Sequence, residues 1–272
     1  MRIGDLDMGK IVAIGGGEIG RPGYPVETTE IDMRIVELTG KSRPSILFLP
    51  TASGDSDVYV ETFSRHFRGR LGCRTDALCL LKTKPELSEI EEKVLGSDAV
   101  YVGGGNTARM MRARRKWDLE KILRTAYDSG IVMSGLSAGA ICWFRYGCSD
   151  SRRFANPEAD LIRVSGLGLL NATLCPHYDV EQDRKANLRD MMKRTPGVAI
   201  ALDNCCAIEV VDDAYTIIAS KPGAGAYRVY WSAGTFYEEA LRGDNASGPL
   251  EGLLARRERR TGGTDSHQSD LR

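Results

Sequence analysis

No apolar run in this sequence approaches the ~20 residues that a membrane-spanning helix needs, which argues against an integral membrane protein. Neither sign of charge is in excess: Lys+Arg and Asp+Glu both number 37. The chain therefore has no global field to draw nucleic acid or an anionic membrane surface. The first ten residues, MRIGDLDMGK, carry charge and lack an apolar segment. No secretory signal is expected from them, and the expected compartment is the cytoplasm. Cysteine is sparse and odd in number, seven scattered through the chain, so reduced thiols are expected rather than a disulfide framework. Convincing metal-ligand spacing is missing as well. Cys205 and Cys206 are adjacent, and Cys175-Pro176-His177 has no partner motif, so neither a metal nor another cofactor is expected.

What is present is ordinary for a globular protein, with 42% hydrophobic and 27% charged residues. The runs Lys10 to Ile14, Ser45 to Leu49, Arg74 to Leu80, Asp98 to Val102 and Gly130 to Ser134 are short and apolar or β-branched. Such runs suit buried strands of a parallel sheet. Helical patterns separate them: Thr28 to Thr39, with Ile31, Ile35 and Leu38 on one face, then Val58 to Arg68 and Glu86 to Leu95. A further helix is expected after Ser137, then a loop-rich stretch from Tyr146 to Val164, then a helix containing Leu188 to Lys193. Val198 to Leu202, Ala207 to Val211 and Tyr215 to Ala219 read as antiparallel strands at a sheet edge. The fold class is α/β, a mostly parallel sheet with helices on both faces and an antiparallel edge. No Pro/Gly/Ser linker divides the chain, so residues 1–255 are read as one domain. Residues 256–272, polar and Gly-containing, are expected to be a disordered tail.

Gly135-Leu136-Ser137-Ala138-Gly139 fits G-x-S-x-G between a strand-like and a helix-like run. A sharp strand-to-helix turn lifts a serine hydroxyl out of the sheet, and the helix N-terminus behind it offers free N–H groups to an oxyanion. The plainer reading is a small-residue turn packed on the sheet, but both flanks favour Ser137 as a nucleophile. An alcohol needs a neighbouring base, usually histidine. Of the three histidines, His267 lies in the polar tail and His66 in an arginine-rich helical stretch, read as a surface or helix-packing residue. His177 remains, at the end of an apolar strand, where a doubly wound sheet carries its active-site loops. Tyr101-Val102-Gly103-Gly104-Gly105-Asn106-Thr107 also joins a strand to a helix. Its glycines let backbone N–H groups face a substrate, and Gly105 with Ala138 makes a plausible oxyanion hole. Gly15-Gly16-Gly17-Glu18-Ile19-Gly20 formally matches a dinucleotide loop, but Arg21-Pro22-Gly23-Tyr24-Pro25 cannot continue as the helix such a site requires. A turn lining the active-site rim is the preferred reading.

The segments VGGGNT (102 to 107), GLSAGA (135 to 140) and CPHYD (175 to 179), in this order, resemble the peptidase E family of aspartyl dipeptidases and their relatives the cyanophycinases. The resemblance spans roughly residues 8 to 240. It implies a fold like class I glutamine amidotransferases, with serine in place of their cysteine, and a Ser–His–acid triad without metal or nucleotide. By motif match Ser137 is the nucleophile, His177 the base, and Gly105 and Ala138 the oxyanion hole. The family's T-x-D-M-P segment corresponds here to Tyr146-Gly147-Cys148-Ser149-Asp150-Ser151, which makes Asp150 the expected acid. Glu158 and Asp160 are the fallback acids, and Asp179 reads as a helix cap with Gln182 three residues on. Asn106 and Arg184 are candidate substrate-binding residues. Arg184 matches a family arginine that would hold a substrate carboxylate, or it is a solvated helix residue.

The function expected from this reading is hydrolysis of short peptides by a serine-type dipeptidase preferring amino-terminal Asp. A small peptide is then the partner, with no nucleic acid and no membrane, and a homodimer stays open as the assembly. Cyanophycinase-like hydrolysis of aspartyl-arginine units is the alternative enzyme, and an inactive binding protein on the same fold is the alternative non-enzyme. An α/β-hydrolase esterase fits the elbow, but its histidine usually lies far toward the C-terminus.

Overall fold

The structure is a computed structural model, and it describes residues 9–180, 183–242 and 247–256. The expected tail beyond Arg256 and the residue Gln182 lie outside the described residues. The strands are β1 (Lys10–Ile14), β2 (Ser45–Leu49), β3 (Arg74–Ala77), β4 (Ala99–Val102), β5 (Val132–Leu136), β6 (Phe144–Ser149) and β7 (Ile162–Ser165). They continue as β8 (Leu170–Cys175), β9 (Ala199–Leu202), β10 (Cys206–Val211), β11 (Ala214–Ala219), β12 (Ala226–Ser232), β13 (Thr235–Leu241) and β14 (Ser247–Pro249). The helices are α1 (Thr29–Leu38), α2 (Asp57–Phe67), α3 (Leu87–Leu95), α4 (Thr107–Lys116), α5 (Leu119–Asp128), α6 (Ala138–Ile141), α7 (Arg184–Met192) and α8 (Leu250–Leu254).

The strands form two sheets, ordered β14-β11-β10-β1-β5-β4-β2-β3 and β13-β12-β9-β8-β6-β7. In the first, β1, β5, β4, β2 and β3 run parallel, and β10, β11 and β14 extend it antiparallel at the β1 side. Both faces are covered, as the continuous apolar runs require. Along β1, Ile11 and Ala13 pack with residues of α3, α4 and α5, while Val12 and Ile14 pack with Ile31 and Ile35 of α1 and Phe63 and Phe67 of α2. The first apolar cluster continues into the second sheet through Leu174 and Ile200, whose opposite face holds Ala199, Ala201 and Leu188 of α7.

Three elements differ from the expectation. The helix after Ser137 is a single turn, α6, because Trp143 and Phe144 are buried and Phe144 opens β6. The stretch read as loop-rich contains β6 and β7, held by pairing with each other and with β8. Likewise β9 leaves the antiparallel edge and runs parallel to β8 in the second sheet.

Register then sets the site. Ile14 is level with Leu136 across β1–β5, and Val102 is level with Gly135 across β4–β5. The Gly15 loop, the Gly103 loop and Ser137 therefore emerge side by side at the carboxyl ends of parallel strands, where doubly wound folds carry ligand sites. In the second sheet Cys175 is level with Ala201, so His177 and the turn after β9 emerge together.

Candidate active site

Ser137 sits between β5 and α6 at φ 55° and ψ −111°, a conformation rare for a residue with a Cβ. The strain is held by the surrounding sheet: its N–H donates to the Ile14 carbonyl at 2.9 Å. The turn projects Oγ toward His177, and the two are 2.8 Å apart, Oγ to Nε2. His177 is itself at φ 54°, with its N–H on the Gly15 carbonyl at 3.2 Å.

The other ring nitrogen, Nδ1, lies 2.6 Å from Asn204 Oδ1. An amide oxygen only accepts, so Nδ1 carries the proton and Nε2 of the neutral ring is the acceptor for the Ser137 hydroxyl. Asn204 is held from behind, its N–H donating to Asp179 Oδ1 at 2.8 Å. The next residue, Cys205, donates its N–H to the Gly16 carbonyl at 2.9 Å. The three successive carbonyls of Ile14, Gly15 and Gly16 thus anchor the backbones of Ser137, His177 and the Asn204 turn. A Cβ at Gly16 would overlap both Asn204 Oδ1 and His177 Nδ1, so only glycine lets the loop pass this close. The glycine run that resembled a dinucleotide loop is the seat of this array.

Asp150 stands elsewhere. Its carboxylate is 4.0 Å from Arg184 Nη2, and the nitrogen of His177 that it was expected to meet is bonded to Asn204. The segment around Asp150 instead braces α4: Asn106 Nδ2 donates to the Ser151 carbonyl at 3.2 Å, and the Ala108 N–H donates to Ser151 Oγ at 2.9 Å. Asn106, expected to touch substrate, is the buried N-cap of α4, with Oδ1 accepting from the Arg109 N–H at 3.0 Å. Arg184, the other expected substrate contact, is buried beside Asp150 and the Cys175 thiol. Glu158 and Asp160 lie on the exposed surface. Asp179 does not cap a helix, since α7 starts at Arg184. Of the two readings of His66, the helix-packing one holds: it is buried in α2, with Nε2 2.9 Å from Asp32 Oδ2 of α1.

The Gly103 loop closes the site on the far side of the serine. A Cβ at Gly104 would stand 3.6 Å from Ser137 Cβ, and Gly105 takes φ 134°. The Gly104 N–H donates to the Tyr59 hydroxyl at 3.2 Å. Burial pushes the Tyr59 phenol up to about 12, so it stays protonated and neutral. Among the described residues no group of three or more His, Cys, Asp or Glu is arranged to hold a metal ion. All seven cysteines carry free thiols.

The model of Peptidase family S51 matches residues 11–218. The chain belongs to peptidase family S51. It is 38% identical over 226 residues to the "Uncharacterized peptidase YgaJ" of Bacillus subtilis (strain 168), covering 82% of this chain and 92% of that protein. It is 25% identical over 198 residues to a "Peptidase E" of Nostoc sp., covering 69% and 77%. Among solved structures, a peptidase from an acI-B1 Actinobacterium superposes with TM-score 0.69 at 21% identity, over 92% of this chain and all of that one. A putative peptidase E protein from Listeria monocytogenes EGD-e gives 0.58 at 18%, over 78% and 98%. The S51 chain is thus a peptidase with a peptidase E-like α/β fold. No described helix is long and apolar enough to cross a membrane.

Asn204 and Tyr59 escaped the sequence reading, and Gly16 was read only as part of a turn at the active-site rim. A signal for Asn204 was present: Asp203-Asn204 follows the apolar strand Ala199–Leu202, as His177 follows Leu170–Cys175.

Proposed function

We propose that this S51 chain is a serine peptidase that hydrolyses short peptides, with a dipeptidase's preference for amino-terminal Asp, through Ser137, His177 and Asn204. The observation that carries the reading is the relay of 2.8 Å from Ser137 Oγ to His177 Nε2 and 2.6 Å from Nδ1 to Asn204 Oδ1. His177 Nε2 takes the Oγ proton as Oγ attacks the scissile carbonyl. The N–H groups of Gly105 and Ala138 receive the oxyanion, Ala138 as the first residue of α6. The imidazolium then gives its proton to the leaving amine, and water releases the acyl group by the same steps in reverse roles. Asn204 holds the ring and its tautomer throughout. The Asp preference rests on the resemblance to peptidase E. The reading includes action in the cytoplasm and no nucleic-acid or membrane partner.

Ser137→Ala tests it. Loss of a triad nucleophile costs about 10⁶ in turnover. A fluorophosphonate should label the wild-type serine and fail on His177→Ala, since the attack needs the base. Retention of more than a small fraction of turnover by Ser137→Ala, or loss of activity in a chelator restored by divalent metal, would remove the serine mechanism.

A further inference from the structure

Beside the relay lies a cavity of about 340 Å³ that the mechanism does not use. Its walls include Gly17, Glu18 and Arg21 from the loop after β1, and Tyr59 and Thr62 from α2. Gly17 directly follows the glycine on which His177 and Asn204 rest. Tyr59 holds the Gly104 N–H, and Gly104 lies against Ser137. The cavity is therefore one residue from the seat of the base and one hydrogen bond from the loop facing the nucleophile. Between this space and Ser137 stand Tyr59 and Gly104, joined by that hydrogen bond.

The chemistry of the walls is unusual for such a position. Glu18 and Arg21 form a pair within one loop: Arg21 Nε is 2.6 Å from Glu18 Oε2, and the Arg21 N–H donates to Glu18 Oε1 at 3.0 Å. Arg21 is 61% exposed, so the pair adds little to stability. Arg21 meets Glu18 through Nε, and its Nη fork remains for a second carboxylate. Its guanidinium is stacked over the Tyr24 ring at 4.1 Å, which limits its rotamers before any ligand arrives. Glu18, only 16% exposed, is held through its N–H by Glu27 Oε2 at 3.1 Å. Deeper in, the Thr62 hydroxyl is buried without a hydrogen-bond partner. A carboxylate and a guanidinium side by side, with hydroxyls behind them, match a group that is itself a close pair of opposite charges.

We infer that Glu18 and Arg21 form a recognition site for an amino-terminal acidic residue, Glu18 taking its α-ammonium and Arg21 its side-chain carboxylate. Binding exchanges the internal ion pair for two pairs with the substrate, so neither protein charge is left uncompensated. A cationic side chain would meet Arg21, and an amino-blocked residue would leave Glu18 unanswered. The site thus reads both charges of one residue. This rests on the peptidase reading above and assigns to it the residues that choose the substrate.

The test measures kcat/KM for Asp-Ala, Asn-Ala and N-acetyl-Asp-Ala. With wild type, Asp-Ala should exceed each of the other two by roughly tenfold to a hundredfold, as expected for charge-assisted bonds. Arg21→Gln should bring the Asp/Asn ratio close to one while preserving discrimination against the acetylated peptide. Glu18→Gln should do the reverse, and Arg21→Lys should restore part of the Asp/Asn ratio. A wild-type Asp/Asn ratio near one, or a ratio unmoved by Arg21→Gln, overturns the assignment. The same ratios read by calorimetric binding to the Ser137→Ala protein need no turnover. Failure of the serine mechanism would therefore show as activity retained in that variant, and failure of the recognition site as equal binding of the Asp and Asn peptides.

Discussion

A carbonyl oxygen in place of a carboxylate at His177 Nδ1 orients the ring without offering a full negative charge to the imidazolium. Orientation is then Asn204's whole contribution, and Asn204→Ala should lower kcat by about 10² or more with little change in thermal stability. Asn204→Asp should keep the geometry and add charge. A carboxylate favours the protonated imidazole, which cannot accept the serine proton, so the acidic limb of kcat/KM should move upward. A profile from about pH 5 to pH 9 reads that shift, and a limb that stays in place would detach Asn204 from the base. Asp150→Asn should leave kcat nearly intact and instead cost about 1 kcal/mol of stability, because its neighbour is the buried Arg184. Ser137 and His177 were legible because an elbow is a local pattern and histidine is scarce. Asn204 was not, since an amide is not the usual third member and its contact joins the ends of β8 and β9, which become neighbours only when the second sheet pairs.

At the scale of elements, one loop organises the site. Ile14, Gly15 and Gly16, where β1 passes into this loop, meet the nucleophile turn, the base and the Asn204 turn within three residues. Gly16→Ala would push a methyl group into the His177–Asn204 bond, and relief requires the pair to shift. A displacement near 1 Å costs roughly 10² in rate, whereas the overlap itself costs about 1–3 kcal/mol of stability. Gly16→Ala should therefore remain folded by circular dichroism while kcat falls about a hundredfold. Normal kcat in that variant would mean the loop yields freely and is not the seat. The sequence marked this loop by its glycines but assigned it only a place at the rim, because the acceptors on Gly15 and Gly16 are invisible without the partners. The parallel strands around β1 were readable from their apolar runs. The second sheet was not, because β6 and β7 owe their extended form to pairing with strands distant in sequence.

The whole molecule joins a sheet that delivers Ser137 to a sheet that delivers His177, so activity depends on the layers keeping their positions. Under the Gly15 loop, α1 and α2 are tied by a polar group in an apolar layer. Asp32 is fully buried, accepting from Thr28 Oγ1 at 2.7 Å and facing His66 Nε2 at 2.9 Å. Burial raises its pKa above the usual carboxylate value, with the His66 bond and charge opposing and Glu30 adding a small push in the same direction. The folded protein keeps the Asp32 proton to higher pH than the unfolded chain, so the unfolded chain binds fewer protons over that interval. Stability from Asp32 is then full below the unfolded value of about 3.9 and is lost as pH rises through the raised native one. Asp32→Asn has no proton to lose. The urea-unfolding free energy of wild type minus that of Asp32→Asn should therefore fall as pH rises from about 4.5 toward neutrality, by about 1.4 kcal/mol for each unit by which burial lifts the carboxyl. A difference that grows with pH would show the His66 pair prevailing over burial, with Asp32 held as an anion beneath the active-site loop.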